Sequence, residues 1–161
     1  MKLVLLILVL IVAAAIIICI IGSRLPVRHV ATRSVELNAT PQQVWTLIRD
    51  VADAPSWRSD VKGVEILSPT QFREHGEHGA VTYDIVEDLP PRRFVTRIAD
   101  RNLGYGGSWT WDVTPSAAGS RLTITENGEV TNIFFRFMSR FLFGHTATID
   151  KVLTFASSRL R

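Results

Sequence analysis

The first 22 residues differ from the rest of the chain in having almost no polar position. Residues 3–22 carry no charge, and these 20 residues would extend about 30 Å as an α-helix, the thickness of a bilayer's hydrocarbon core. A cleaved signal peptide has a shorter apolar region that ends in small residues. Ala13 to Ala15 resemble such an end, but the apolar run continues through Ile21. The pattern therefore favours a retained membrane anchor over residues 3–22.

Basic residues near the ends of this run predict its orientation. Lys2 stands on one side, whereas Arg24, Arg28 and Arg33 stand on the other. Because basic flanks tend to stay in the cytoplasm, we expect a single-pass protein whose globular part is cytoplasmic. An uncleaved signal anchor that exports the following domain is the alternative.

Beyond the anchor, apolar and polar residues first alternate, as in a strand, and then recur at helical spacing. β-Branched residues recur over residues 26–36, as in a strand. Thr40, Pro41 and Gln43 then have the spacing of a capping box with proline in the first helical position. Apolar residues at helical spacing follow, and residues 52–57 predict a second short helix.

The middle of the chain is predicted to be a series of strands joined by short turns. Six runs alternate or are rich in β-branched and aromatic residues, and clusters of glycine, proline or serine separate them. These runs are 61–67, 71–75, 80–87, 93–100, 107–114 and 121–126. Successive strands with short turns predict an antiparallel meander rather than a parallel sheet.

The C-terminal part, from residue 132 onward, is predicted to be helical. Apolar residues recur at spacings of three or four between 149 and 160, and Gly144 is expected to break the helix. The order of elements predicts an α+β fold, in which a curved antiparallel sheet buries its apolar face under the long final helix.

Length, charge and cysteine content limit the classes of function. A chain of 161 residues has room for one domain of ordinary size, 24–161, after an anchor of residues 1–23. The basic residues behind the formal net charge of +3 are dispersed, so nothing predicts binding to nucleic acid. Cys19 is the only cysteine of the sequence, and within the apolar run a thiol acts as a small apolar group.

No cofactor or metal site is predicted. The glycine-rich stretch 104–107 lacks the strand-to-helix setting of a dinucleotide-binding loop. His75 and His78 alternate with Glu74 and Glu77, but two histidines without a third ligand, between glycines, are typical of a solvated hairpin loop.

A series of motifs occurs in an order that points to a family. They are Val-Glu-Leu-Asn-Ala-Thr-Pro-Gln-Gln-Val-Trp at 35–45, Trp57 with Asp60 and Val61, Pro90-Pro91-Arg92, Gly107-Ser108-Trp109, and Phe137, Phe141 and Gly144-His145-Thr146. This order resembles the START-like, helix-grip superfamily (SRPBCC), in particular its polyketide cyclase/dehydrase and lipid-transport group. The resemblance runs from about residue 28 to the end. It implies a cavity between sheet and final helix that holds a hydrophobic ligand, sometimes with catalysis.

Alternation along neighbouring strands brings candidate ligand-binding residues to one face. Aromatic side chains with few polar groups are typical of a small-molecule pocket. Plain core packing of the same side chains, without a ligand, is the alternative. The candidates are Trp57, Tyr83, Trp109, Trp111, Glu126 and Phe137.

Glu126 is the one weak candidate for acid–base chemistry. An inward carboxyl group loses solvation, which raises its pKa and suits it to proton transfer or to holding a ligand hydroxyl. The following Asn127-Gly128 pair, however, favours a turn or bulge that would rotate Glu126 toward solvent or a plain salt bridge. His145 is expected to be structural, with a place at the pocket mouth as the alternative.

The segment 133–143 is apolar on nearly all sides, with Arg136 and Arg140 on one helical stripe. Three interpretations compete: burial between sheet and loops, a gate over the cavity, or contact with the lipid interface through its arginines.

Together these patterns predict a membrane-anchored domain that binds a lipid or isoprenoid-like molecule without covalent chemistry. One alternative is an enzyme of the cyclase or dehydrase type that uses an interior carboxylate. The other is an interaction module with a vestigial cavity, which should show no internal void.

Overall fold

A seven-stranded antiparallel sheet dominates the computed structural model, which describes residues 2–77 and 79–160. The strands are β1 (Arg28–Leu37), β2 (Val61–Ser68), β3 (Gln71–Gly76), β4 (Gly79–Leu89), β5 (Arg93–Ile98), β6 (Tyr105–Ser116) and β7 (Gly119–Val130). Their order in the sheet is β1-β7-β6-β5-β4-β3-β2. The predicted meander is therefore confirmed, and β1 extends it by pairing with β7.

The helices lie before, between and after the strands. They are α1 (Lys2–Arg24), α2 (Pro41–Arg49), α3 (Ala54–Trp57), α4 (Ile133–Met138) and α5 (Ala147–Arg159). A 3₁₀ turn (Val51–Asp53) precedes α3, and a π-helical turn (Ser139–Phe143) follows α4. The α+β, START-like fold predicted from the sequence is confirmed.

The start of α2 follows the predicted capping box. The Thr40 hydroxyl accepts from the backbone N–H of Gln43, and the Gln43 side chain accepts from the N–H of Thr40 at 2.8 Å. Two backbone donors at the helix end are thereby satisfied. The apolar face of α2 then buries Val44, Trp45 and Ile48 in the core.

The core lies between the sheet and α5. In α5 the residues Ile149, Val152, Leu153 and Ala156 are buried at helical spacing, as the sequence predicts. They join a single cluster with inward residues of β6 and β7 such as Leu122. The final helix therefore covers the apolar side of the sheet.

β7 departs from the sequence prediction at its end. The strand continues through Asn127 and Gly128 to Val130, so no turn forms there. Backbone pairing explains the difference, because β7 is bonded to β1 on one side and to β6 on the other along this stretch. Two ladders of hydrogen bonds outweigh the local turn preference of an Asn-Gly pair.

The exposure of the segment 133–143 contradicts one of its three interpretations, burial between sheet and loops. Six of its large apolar residues are between 41% and 66% exposed. The interpretation of burial is wrong because α4 packs beside α1 and not over the sheet. Gly144, with φ of 73°, ends the segment at the predicted break.

α1 projects from the domain. It is the one helix among residues 2–77 and 79–160 that is long and apolar enough to cross a membrane. Gly22 is its only buried residue, at the end next to the domain.

Candidate functional site

A cavity of about 260 Å³ lies on the concave side of the sheet. Strands β3 to β7, His29 of β1, the end of α2 with the following turn and α3, and the start of α5 contribute to its wall. Five of the six residues proposed from the sequence line it: Trp57, Tyr83, Trp109, Trp111 and Glu126. Seven of the lining side chains are those of Phe, Trp or Tyr, and carboxylates and one guanidinium lie among them.

Phe137 is the exception, since the cavity wall does not include it. Its ring packs instead against that of Phe141, with the centroids 4.9 Å apart. The sequence analysis predicted the break at Gly144 but still placed Phe137, in the segment before it, in the cavity wall. Gly144 separates α4 from α5, so only α5 covers the sheet and Phe137 lies outside.

Alternation in β6 and β7 positions the carboxylate of Glu126. Trp109 is its register partner across the strands, and Trp111 faces Ile124 on the same side. Glu126 therefore points into the cavity, where its side chain is 21% exposed. The expected outward rotation is wrong because β7 stays regular at this position.

His29 of β1 is the partner of Glu126 in the cavity wall. Its Nε2 lies 3.2 Å from Oε1 of Glu126. Burial raises the pKa of Glu126, and His29 partly offsets this effect through its charge and its hydrogen bond. A carboxyl group with a raised pKa beside an imidazole can take up and release a proton inside the cavity.

Gly128 makes room for this pair. It lies opposite His29 in the register of β1 and β7. A Cβ atom at position 128 would overlap the His29 ring and would lie 2.9 Å from Oε1 of Glu126. The absence of a side chain at this position therefore lets the imidazole lie across β7 to reach the carboxylate.

His145 connects the pair of His29 and Glu126 to residues outside the cavity. Its ring stacks on that of His29 with centroids 4.0 Å apart, and its Nδ1 lies 3.0 Å from the hydroxyl of Ser139 in the π-helical turn. Burial lowers the pKa of His145, and the neighbouring His29 and Arg140 add to the effect. The residue expected to be structural thus joins the exposed segment to the cavity wall.

A second cluster of charged side chains, around Arg58, lies on the other side of the cavity. Strands β4, β5 and β6 separate it from Glu126. Arg58, at the end of α3, donates from Nη1 to Glu74 at 2.9 Å and from Nη2 to Asp60 at 3.0 Å. Burial raises the pKa of Glu74 in spite of the arginine. Burial opposes the charge on Arg58, but its two carboxylate partners outweigh this and raise its pKa.

Tyr83 lies beside this ion pair. Its ring stacks on that of Phe72, the register partner on β3, at 5.3 Å. Burial raises the pKa of the phenol well above its ordinary value, with a contribution from the charge of Glu74. Tyr83 therefore stays protonated and offers a hydroxyl group to the cavity.

The sequence prediction missed Arg58, Glu74 and His29. Glu74 was assigned to a solvated loop, which is wrong because it shares the inner face of β3 with the buried Phe72 two residues earlier. The spacing of two residues between Phe72 and Glu74, which places both side chains on one face of a strand, was the signal available in the sequence. His29 depends on the pairing of β1 with β7, which nothing local in the sequence encodes.

His75 lies on the outer face of β3, where its side chain is 50% exposed, and His78 lies outside the described residues. Within the described part of the chain, no group of three or more His, Cys, Asp or Glu side chains is arranged to hold a metal ion.

The indole N–H groups of Trp57 and Trp111 are buried beside the cavity. Neither Nε1 atom has an acceptor among the described residues. A buried donor without a partner costs about 1–3 kcal/mol.

Solved structures with the same fold support the fold assignment. A START superfamily protein from Mycobacterium smegmatis aligns with a TM-score of 0.67 and 16% identity over 82% of this chain and 97% of its own. The norcoclaurine synthase of Thalictrum flavum, solved as a point mutant with a transition-state analogue, aligns at 0.65 and 15% over 83% and 94%. At such identities the likeness establishes the fold alone.

The di-domain ARO/CYC StfQ of the steffimycin biosynthetic pathway aligns with a TM-score of 0.68 and 15% identity over 83% of this chain. The match covers 51% of StfQ, about half of its length. A comparison with curated protein sequences gave no match.

The family model for polyketide cyclase/dehydrase and lipid transport matches residues 28–151. This range includes all seven strands and the cavity wall that they form. The sheet closed by α5 over an aromatic cavity is consistent with this match. The chain belongs to the polyketide cyclase/dehydrase and lipid-transport family.

Proposed function

We propose that the protein binds a hydrophobic small molecule, such as a lipid or isoprenoid-like compound, without covalent chemistry. The observation that carries the proposal is the cavity of about 260 Å³ with its tryptophan-lined wall. Burying apolar ligand surface contributes about 25 cal/mol per Å². An interaction module with a vestigial cavity was expected to have no internal void, and the cavity is contrary to that expectation.

The polar groups in the wall suggest that the ligand carries at least one oxygen acceptor. Arg58 and Tyr83 lie on one side of the cavity, where both are hydrogen-bond donors. One hydroxyl or carbonyl group on an otherwise apolar molecule would accept a hydrogen bond from the Tyr83 hydroxyl.

We further propose that residues 1–23 anchor the domain 24–161 in a membrane. α1 is exposed along its apolar length, which in water would be unfavourable. The basic residues after α1 favour a cytoplasmic domain. An anchored carrier gains from the high local concentration of a lipid ligand near its source.

The test is native mass spectrometry of the full chain purified in mild detergent, followed by organic extraction. We expect an apolar molecule to co-purify. Trp109→Asp should lose it, because the charge would lie in the cavity wall, whereas Glu126→Gln should retain it. Ile66→Asp, at an exposed position on β2, is the control for a charge placed outside the cavity.

Folding of each variant is checked by circular dichroism. Ligand occupancy that survives in folded Trp109→Asp protein would contradict binding in this cavity.

The second candidate function is an enzyme of the cyclase or dehydrase type. The contact of 3.2 Å between Glu126 and His29 inside the cavity favours it. If the co-purifying molecule changes in mass on incubation, Glu126→Gln should stop the change without loss of binding. Unaltered ligand with the wild-type chain would count against catalysis.

A further inference from the structure

The exposed apolar side chains of the segment 133–143, here called the aromatic segment, form a surface that the cavity does not use. They are Ile133, Phe134, Phe135, Phe141, Leu142 and Phe143. Soluble proteins rarely expose so many large apolar groups in one short stretch, and such patches mark contacts with proteins or membranes.

The aromatic segment is attached to the end of α1. A Cβ atom on Gly22 would lie 2.5 Å from the carbonyl oxygen of Ile133, so the two backbones are in close contact. Nη1 of Arg136 donates to the carbonyl groups of Gly22 at 3.3 Å and Leu25 at 3.1 Å. The segment therefore lies beside the last turn of the candidate membrane helix.

The contact with Gly22 determines how deep in a bilayer the aromatic segment would lie. The apolar run of α1 ends at Gly22, and Ser23 and Arg24 follow. If the run fills the hydrocarbon core, Gly22 lies at its edge. A segment that touches Gly22 then lies where hydrocarbon meets headgroups, the level that amphipathic helices with aromatic residues prefer.

Basic residues next to the segment suit the same location. Arg24 and Arg140 are exposed. Lipid phosphates attract such residues, at about 1 kcal/mol for each one near an anionic surface. Arg136 does not share this role, because four backbone carbonyl groups occupy its guanidinium: those of Gly22, Leu25, Val130 and Thr131.

We propose that the aromatic segment inserts into the lipid interface of the membrane that α1 crosses, as a second point of contact between the domain and the bilayer. The inference rests on the proposed anchoring by α1. The partner is a phospholipid bilayer, with the phenylalanine rings among the upper acyl chains and Arg140 toward the phosphates.

Depth-dependent fluorescence quenching tests the proposal in the full chain. The natural cysteine is removed by Cys19→Ser, and Phe143→Cys introduces a single thiol in the aromatic segment. This thiol is labelled with a nitrobenzoxadiazole dye. The protein is reconstituted into phosphatidylcholine/phosphatidylglycerol vesicles with and without lipids spin-labelled in the acyl chain. Ile66→Cys is the matched control, an apolar position of similar exposure (55% against 66%) on β2.

We expect the spin-labelled lipids to quench the dye at position 143 several-fold more strongly than at 66, with a blue-shifted emission only at 143. Equal, weak quenching at both positions would overturn the proposal. Resistance of α1 to alkaline extraction is measured on the same vesicles. Extraction of the protein would refute anchoring, whereas retained protein without quenching at 143 would refute interfacial insertion alone.

Discussion

The imidazole Nε2 of His29 lies 3.2 Å from a carboxylate oxygen of Glu126, although 97 residues separate them in the chain. Both side chains line the cavity, and each lies on the inner face of its strand. The sheet therefore builds an acid–imidazole pair from its first and last strands, which pair with each other.

The first prediction concerns the titration of Glu126. Burial should hold its pKa above the ordinary 4.5, as measured by carboxyl ¹³C NMR against the unfolded chain. His29→Gln should raise the pKa further, because the favourable charge of the imidazole is lost.

The sign of the pH effect on stability follows from this shift. Because the folded pKa lies above the unfolded one, the folded state binds more protons between the two values. The contribution of Glu126 to the free energy of unfolding is thus full below the unfolded pKa and is lost as pH rises through the folded pKa. Glu126→Gln should remove this dependence, and an unchanged pH profile would contradict the assignment.

The second prediction concerns Gly128→Ala. The new methyl group would overlap the His29 ring and crowd Glu126, so the imidazole must move away and the contact must break. Overpacking of this kind costs about 1–3 kcal/mol of unfolding free energy, measured by urea denaturation. Gly106→Ala on the adjacent strand is the control, since a Cβ there has no atom within 4 Å. Equal losses of unfolding free energy in the two variants would show that the His29 ring does not require a glycine at position 128.

The third prediction concerns the ion pair of Arg58 and Glu74. Arg58→Met would leave Glu74 buried without its cation, and breaking such a pair costs about 3–5 kcal/mol. The double variant with Glu74→Met should recover much of that stability. The exposed pair of Arg97 and Asp84, with side chains 58% and 32% exposed, is the control. Arg97→Met should cost less than about 1 kcal/mol, and a comparable loss at both sites would contradict the buried role of Arg58.

The fourth prediction concerns the contact of α1 with α4. Gly22→Leu should force the helices apart, because even one carbon atom at this position meets the backbone of Ile133. Amide hydrogen exchange over 133–138 should then increase, since Arg136 loses its acceptors on the α1 side. Ala14→Leu, at an exposed position of α1, should leave exchange unchanged. Protection that persists in Gly22→Leu would refute the close approach.

The meander of β2 to β7 and the start of α2 could be predicted because local chemistry determines them. Turn residues separate the strands of the meander, and the capping box of Thr40 and Gln43 needs only four consecutive residues. The inward aromatic face of β6 followed from alternation alone.

The rest depends on contacts between distant parts of the chain. The Asn127-Gly128 pair has the local chemistry of a turn, yet strands on both sides of it keep it extended. Phe137 could not be placed because its position depends on how α4 packs against α1. The spacing of apolar residues along the sequence does not predict that contact. Glu74 was predictable from the alternation with Phe72, but the histidines beside it suggested a solvated loop.

The guanidinium of Arg136 ties the end of α1 to the end of β7 through four carbonyl groups. A flexible linker would leave the orientation of the domain relative to α1 free, whereas these hydrogen bonds hold it in one orientation. If α1 crosses a membrane as proposed, the same edge of the domain would therefore always face the lipid surface.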